Sequence, residues 1–197
     1  MPKRPGTYLT EAEEERLLRG PDRRKIGGLR DWVILKLFLS TGLRRAELVS
    51  LTRSSFREEE DELWLDVIGK GGYWRELPVV DEKLLKALRR YWRKVNISDH
   101  PEAPVFLTLK PTDKHPARPI TGRVVQTIVE KYVKEAGLTK RISPHSFRHT
   151  FCTRALKKSG NLAAVSKLMG HKNVATTSLY LHASQSEMRE VVRSLNL

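Results

Sequence analysis

The run LMGHKNVATTSLYLH (168–182) places His171 at a glycine turn, Tyr180 nine residues later among threonines, and His182 two places beyond. A tyrosine in apolar surroundings is ordinarily core filler with its hydroxyl tied off. Tyr180 can instead be read as a group placed to react. A phenol with its usual pKa of about 10 is a poor nucleophile and needs cations, a base, or both beside it. The remaining chain holds several groups able to fill those roles.

The heptapeptide SPHSFRH (143–149) has Ser143 as a natural N-cap and Pro144 at the first helical position. His145 and Arg148 then share one face of the opening turns. A helix N-terminus attracts anions, an arginine adds a planar fork for two phosphate oxygens, and His145 is placed to accept a proton. Taken alone, the segment is equally a helix whose polar groups face solvent. His145 and His149 also have a metal-ligand spacing. However, Arg148 between them repels a cation, no glutamate follows the first histidine, and no third ligand is near, which argues against a metal.

In STGLRRAEL (40–48), Gly42 closes an apolar helix and Arg44 follows at the start of another, with Glu47 three residues on to orient it. The plain alternative is a surface ion pair of little worth. In IGKGGYWR (68–75), Lys70 sits at a hairpin tip, where it is either a solvated turn residue or an ammonium that reaches into a groove to donate a proton. The Gly-x4-Gly-Lys-Ser/Thr phosphate loop is absent. Together these groups make a tyrosine nucleophile, an arginine clamp, histidine helpers and a lysine acid. That set suits a phosphodiester and needs neither metal nor cofactor.

The elements that must position these groups follow from capping and periodicity. A capping box, TEAE, opens a helix at Thr10. LRDWVILKLFLSTG is apolar on nearly every side, as a central helix is, and RAELVSL predicts a short helix after it. ELWLDVIGKGGYWRELPV changes to strand alternation around a glycine turn and predicts a β-hairpin with Leu63, Leu65 and Val67 inward. DEKLLKALRRYWRKV returns to helical spacing. Residues 97–120 hold five prolines and predict a long, partly extended loop. Helices are expected to start near Thr121, Pro144, Asn161 and Val174, with a last one from about Ser184. The fold class is therefore mainly α with a small antiparallel β-sheet (α+β): residues 1–9 as an arm or linker, 10–197 as one domain.

With 197 residues the chain can bury a sizeable core. Lys and Arg number 37 against 23 acids, a formal charge of +14 that favours a polyanionic partner without identifying it. Cys152 is the single cysteine, so an internal disulfide and a cysteine-based zinc site are excluded. The start lacks a signal-peptide core, and WVILKLFL is too short to span a bilayer and is broken by Lys36. These features fit a cytoplasmic protein whose excess positive charge nominates nucleic acid as a partner.

TGLRRAEL, GKGGYWRELPV, HSFRHTFCTRAL and LMGHKNVATTSLYLH resemble, in order, the signature boxes of the tyrosine recombinase (phage-type integrase) catalytic domain, from about Tyr8 to the C-terminus. The resemblance implies that Arg44 and Arg148 grip the scissile phosphate, that His145 manages the nucleophile's proton, and that His171 donates to the phosphate. It implies that Lys70 protonates the departing 5′ oxygen and that Tyr180 forms a 3′-phosphotyrosyl link. Glu47 matches the acid that supports the first arginine; His149 and His182 match supporting positions. Double-stranded DNA is the implied partner, with self-association from dimer to tetramer. Such proteins usually carry an N-terminal core-binding domain, so the resemblance implies either an excised catalytic fragment or a short enzyme working with a separate domain or accessory protein. Two relatives of this chemistry stay open: type IB topoisomerase-like relaxation and a catalytically silent DNA-binding form.

Overall fold

The computed structural model describes residues 7–69, 71–109, 118–170 and 185–195. At its centre is α2 (Ile26–Thr41), whose Leu29, Val33, Ile34, Leu35, Leu37, Phe38 and Leu39 are all buried. A helix apolar all round has to be enclosed. It is: α4 (Glu82–Val95) and α6 (Pro144–Ser159) pack along it, and α1 (Glu11–Arg19), α5 (Gly122–Glu135) and the sheet close the remaining sides. Lys36, which interrupts the apolar run, forms an ion pair with Asp81 at 2.8 Å. Asp81 also caps α4 by accepting the Leu84 N–H at 2.9 Å, so a largely covered lysine and a helix start share one carboxylate.

The caps read from the chain occur where expected. Thr10 and Glu13 form the reciprocal box at α1, the Thr10 N–H donating to Glu13 Oε2 at 2.7 Å and the Glu13 N–H to Thr10 Oγ1 at 3.4 Å. Thr121 caps α5, Ser143 precedes Pro144 at the start of α6, and Asn161 Oδ1 accepts the Ala164 N–H at 2.9 Å to start α7 (Leu162–Met169). The short helix after Gly42 is α3 (Arg45–Val49), and the last is α8 (Gln185–Arg193). The helix expected near Val174 lies outside the described residues.

The sheet has one strand more than the predicted hairpin. β1 (Phe56–Glu59), β2 (Glu62–Ile68) and β3 (Trp74–Val79) are antiparallel in the order β1-β2-β3. Glu59 pairs with Glu62, and the two residues between them, Glu60 and Asp61, both have positive φ (49° and 65°). That is the geometry of a tight hairpin turn, built here without the usual glycine. Leu63, Leu65 and Val67 face the core as expected. Trp64, on the opposite face, is buried too, because α8 covers it and Arg189 stacks 4.9 Å from its ring. Between α4 and α5 the extended segment is anchored through Val105 to Leu51 and Ile120 to Phe106. Among the described residues no helix is long and apolar enough to cross a membrane.

Candidate active site

The site forms where α2, α3, α6, β3 and the end of α7 meet. α2 ends at Gly42 with φ 64°, a left-handed turn that favours glycine. A Cβ there would lie 2.7 Å from Phe151 Cδ1 and 3.2 Å from Met169 Sδ, so the corner packs against α6 and α7 only because glycine lacks one. The turn delivers Arg44 to the start of α3. Glu47, at the third position of α3, accepts the Arg44 backbone N–H at 2.7 Å and the Arg44 Nη1 at 2.7 Å. The expected orienting pair is present, and it is no surface pair: the Glu47 side chain is 3% exposed, while that of Arg44 is 39% exposed.

A second arginine holds the same carboxylate. Arg75 on β3 donates Nη1 to Glu47 Oε1 at 2.9 Å and Nη2 to Oε2 at 2.8 Å, a two-pronged contact, and both side chains are buried. Burial alone would raise the Glu47 pKa. The hydrogen bonds and charge of Arg75 and Arg44 outweigh it and hold the pKa at about 2. Arg75 was not among the residues singled out above. Its signal was available: it shares strand parity with Leu77 and Val79, which puts a guanidinium on the buried face.

Arg148 rises from the second turn of α6 and is buried. Its Nη1 donates to the Gly42 carbonyl at 2.7 Å and its Nη2 to the Met169 carbonyl. Burial, and then the charges of Arg44 and Arg75, push its pKa down to about 10, so it stays cationic near neutral pH. Three guanidinium groups thus surround one carboxylate, leaving an excess of positive charge. They also hold the end of α7: Arg75 Nε reaches the Leu168 carbonyl at 2.9 Å, Arg148 that of Met169, and Arg44 Nη2 that of Gly170 at 3.3 Å. Carbonyls at a helix C-terminus lack intrahelical donors and carry partial negative charge, which explains why arginines gather there.

Arg44 and Arg148 line a surface cleft of about 320 Å³ with His145, Ser143 and Pro144 at the N-terminus of α6. His145 is exposed and faces this cleft, as its spacing from Arg148 predicts. Arg45 and Gln126 complete the wall and were not foreseen. Arg45 lies across the start of α5, where a Cβ on Gly122 would sit 3.1 Å from its Nε. His149 is directed elsewhere: its ring meets Tyr8 edge-on, with centroids 6.1 Å apart. Lys70, His171, Tyr180 and His182 lie outside the described residues. Their neighbours are placed, however. Gly69 lies beside Glu47, and Gly170, from which the chain continues to His171, lies over Arg75. A cleft with two arginines and a histidine, at a helix N-terminus, has the chemistry to receive an anion such as a phosphate group.

The model of the phage integrase family matches residues 7–187. The tyrosine recombinase XerC of Thermodesulfovibrio yellowstonii is 32% identical over 93% of this chain and 60% of its own length. The chain therefore spans about 60% of the length of such curated relatives. Among solved structures, the XerA recombinase superposes with a TM-score of 0.67 at 26% identity, covering 95% of this chain and 64% of that one. The XerH site-specific recombinase bound to difH substrate superposes with a TM-score of 0.72 at 23% identity, covering 96% and 55%. With its ordered motifs, its folded arginine cluster and a family match over nearly its whole length, the chain belongs to the phage integrase family.

Proposed function

We propose that this chain is the catalytic part, residues 10–197, of a site-specific DNA recombinase that cleaves and rejoins strands through a 3′-phosphotyrosyl intermediate. The observation that carries the reading is the convergence of Arg44 and Arg148 on one cleft at the start of α6, beside His145. The two guanidiniums hold the non-bridging oxygens of the scissile phosphate. The Tyr180 oxygen attacks phosphorus, and His145 manages its proton. The bond to the 5′ oxygen breaks, and that oxygen takes a proton from Lys70, while His171 donates to the phosphate. Glu47 supports Arg44; His149 and His182 take supporting or packing roles. The attack adds negative charge at phosphorus, and the positive excess of the cluster stabilises that charge more in the transition state than in the ground state. One phosphodiester is exchanged for another, so a free 5′ hydroxyl reverses the step without a cofactor.

The partner is double-stranded DNA, on which copies of the chain assemble as dimers to tetramers, with a core-binding domain or accessory protein completing the grip. A nicked suicide duplex tests the chemistry. Wild type becomes covalently attached, and Tyr180→Phe binds without attachment. No adduct from wild type, with binding intact, would mean a catalytically silent relative. Relaxation of supercoiled plasmid without exchange products would mean topoisomerase-like activity instead.

A further inference from the structure

We infer that Arg75 is a positioning residue of the phosphate site, one that never meets DNA and acts by fixing Glu47, and through it Arg44, against the end of α7. The inference rests on the DNA-cleavage reading above. Three observations support it. The Arg75 side chain is 2% exposed, so a nucleic acid lying in the cleft does not reach it. All three nitrogens of its guanidinium are committed: Nη1 and Nη2 to the two oxygens of Glu47, Nε to the Leu168 carbonyl. The backbone is shaped to it on both sides. A Cβ on Gly170, where φ is 59°, would come within 3.1 Å of Arg75 Cδ and 3.3 Å of Nη1, and a Cβ on Gly69 within 3.7 Å of Nη1 and 3.4 Å of Glu47 Oε1.

Glu47 shows what the arrangement does. Its carboxylate accepts two bonds from Arg75 and two from Arg44. Arg44 alone, with its side chain 39% exposed, would leave a buried carboxylate with a mobile partner. Arg75 supplies the rigid half, so Arg44 meets a carboxylate already oriented and charged, and presents its remaining N–H groups to the cleft. The same side chain pins Leu168, which sets where the chain leaves α7 toward His171. A planar guanidinium, donating from its Nη1 and Nη2 pair in one direction and from Nε in another, does both tasks; an ammonium cannot.

The test uses the whole chain carrying Arg75→Lys or Arg75→Met. Readouts are single-turnover adduct formation on the nicked duplex, DNA affinity by anisotropy, thermal melting, and an NMR titration of the Glu47 carboxyl in wild type and variants. For the folded Arg75→Met protein we expect DNA affinity within about threefold of wild type and cleavage slower by about 30-fold or more, since misplacement of the clamp costs rate rather than binding. Glu47 should titrate well above its wild-type position of about 2. Arg75→Lys should recover part of the titration shift and little of the rate. If the Met variant fails to fold, the Lys variant carries the same readouts. Wild-type rates per folded molecule, or an unmoved Glu47 titration, would overturn the inference. Absence of an adduct from wild type would defeat the cleavage reading instead, and the Glu47 titration would still decide whether Arg75 sets that carboxylate.

Discussion

Glu47 carries more of the site than its place in the motif suggests. Among the described residues it is the one acid set among Arg44, Arg75 and Arg148, it is buried, and its pKa is held at about 2. That value lies below the ordinary carboxylate value of 4.5, so the stabilisation is complete above 4.5 and is lost as pH falls toward 2. Melting temperature measured from pH 7 to pH 2 should drop through this window, and Glu47→Gln should flatten that part of the curve. At neutral pH the same substitution leaves buried guanidiniums uncompensated and should cost about 3 kcal/mol in urea unfolding. Arg148→Lys keeps a charge but loses the fork that reaches both the Gly42 and Met169 carbonyls and that the proposed reaction uses on phosphate. Adduct formation should fall by about 100-fold or more while the protein stays folded.

At the scale of elements, the site depends on how closely α2, α6 and α7 approach. Gly42 is a point of close approach to both α6 and α7. Alanine there would take a left-handed backbone and press on Phe151, so Gly42→Ala should destabilise by about 2–4 kcal/mol, read by chemical denaturation. α7 is held differently, capped by Asn161 at one end and by three arginines at the other. Asn161→Ala should cost about 1 kcal/mol and leave adduct formation by the folded protein near wild type, because the arginine end is untouched. α8 reaches back over the sheet, with Arg193 meeting Glu62 at 2.7 Å and Arg189 stacked on Trp64.

For the whole molecule, the charge of +14 sets behaviour that no single residue controls. Much of it is surface lysine and arginine, including Arg19, Lys83, Lys86 and Arg90 around a cleft of about 880 Å³ between α4 and the chain that follows α1. Binding to a duplex should release counterions. Affinity should fall by roughly 10³-fold between about 50 and 200 mM salt if six or more phosphates are touched. A log–log plot from anisotropy titrations gives the slope directly, and a flat plot would show that this charge does not face DNA.

Local chemistry was legible in the chain itself. Thr10, Thr121, Asn161 and Gly42 mark helix ends because a cap is made by residues a few places apart, and Arg44, Glu47, His145 and Arg148 stood out for the same reason. The features that escaped are those made between distant segments. β1 reads as a charged run, FREE, and its turn uses Glu60 and Asp61 in place of glycine; only pairing with β2 makes it a strand. Trp64 is buried by a helix more than a hundred residues later, and Arg75 matters because β3 lays it between Glu47 and the end of α7. Sequence alone singled out the candidate side chains for phosphate chemistry and where most helices begin, since both readings depend on near neighbours. Tertiary structure decided which charges share a buried site, because burial and long-range contact exist only once the chain has folded.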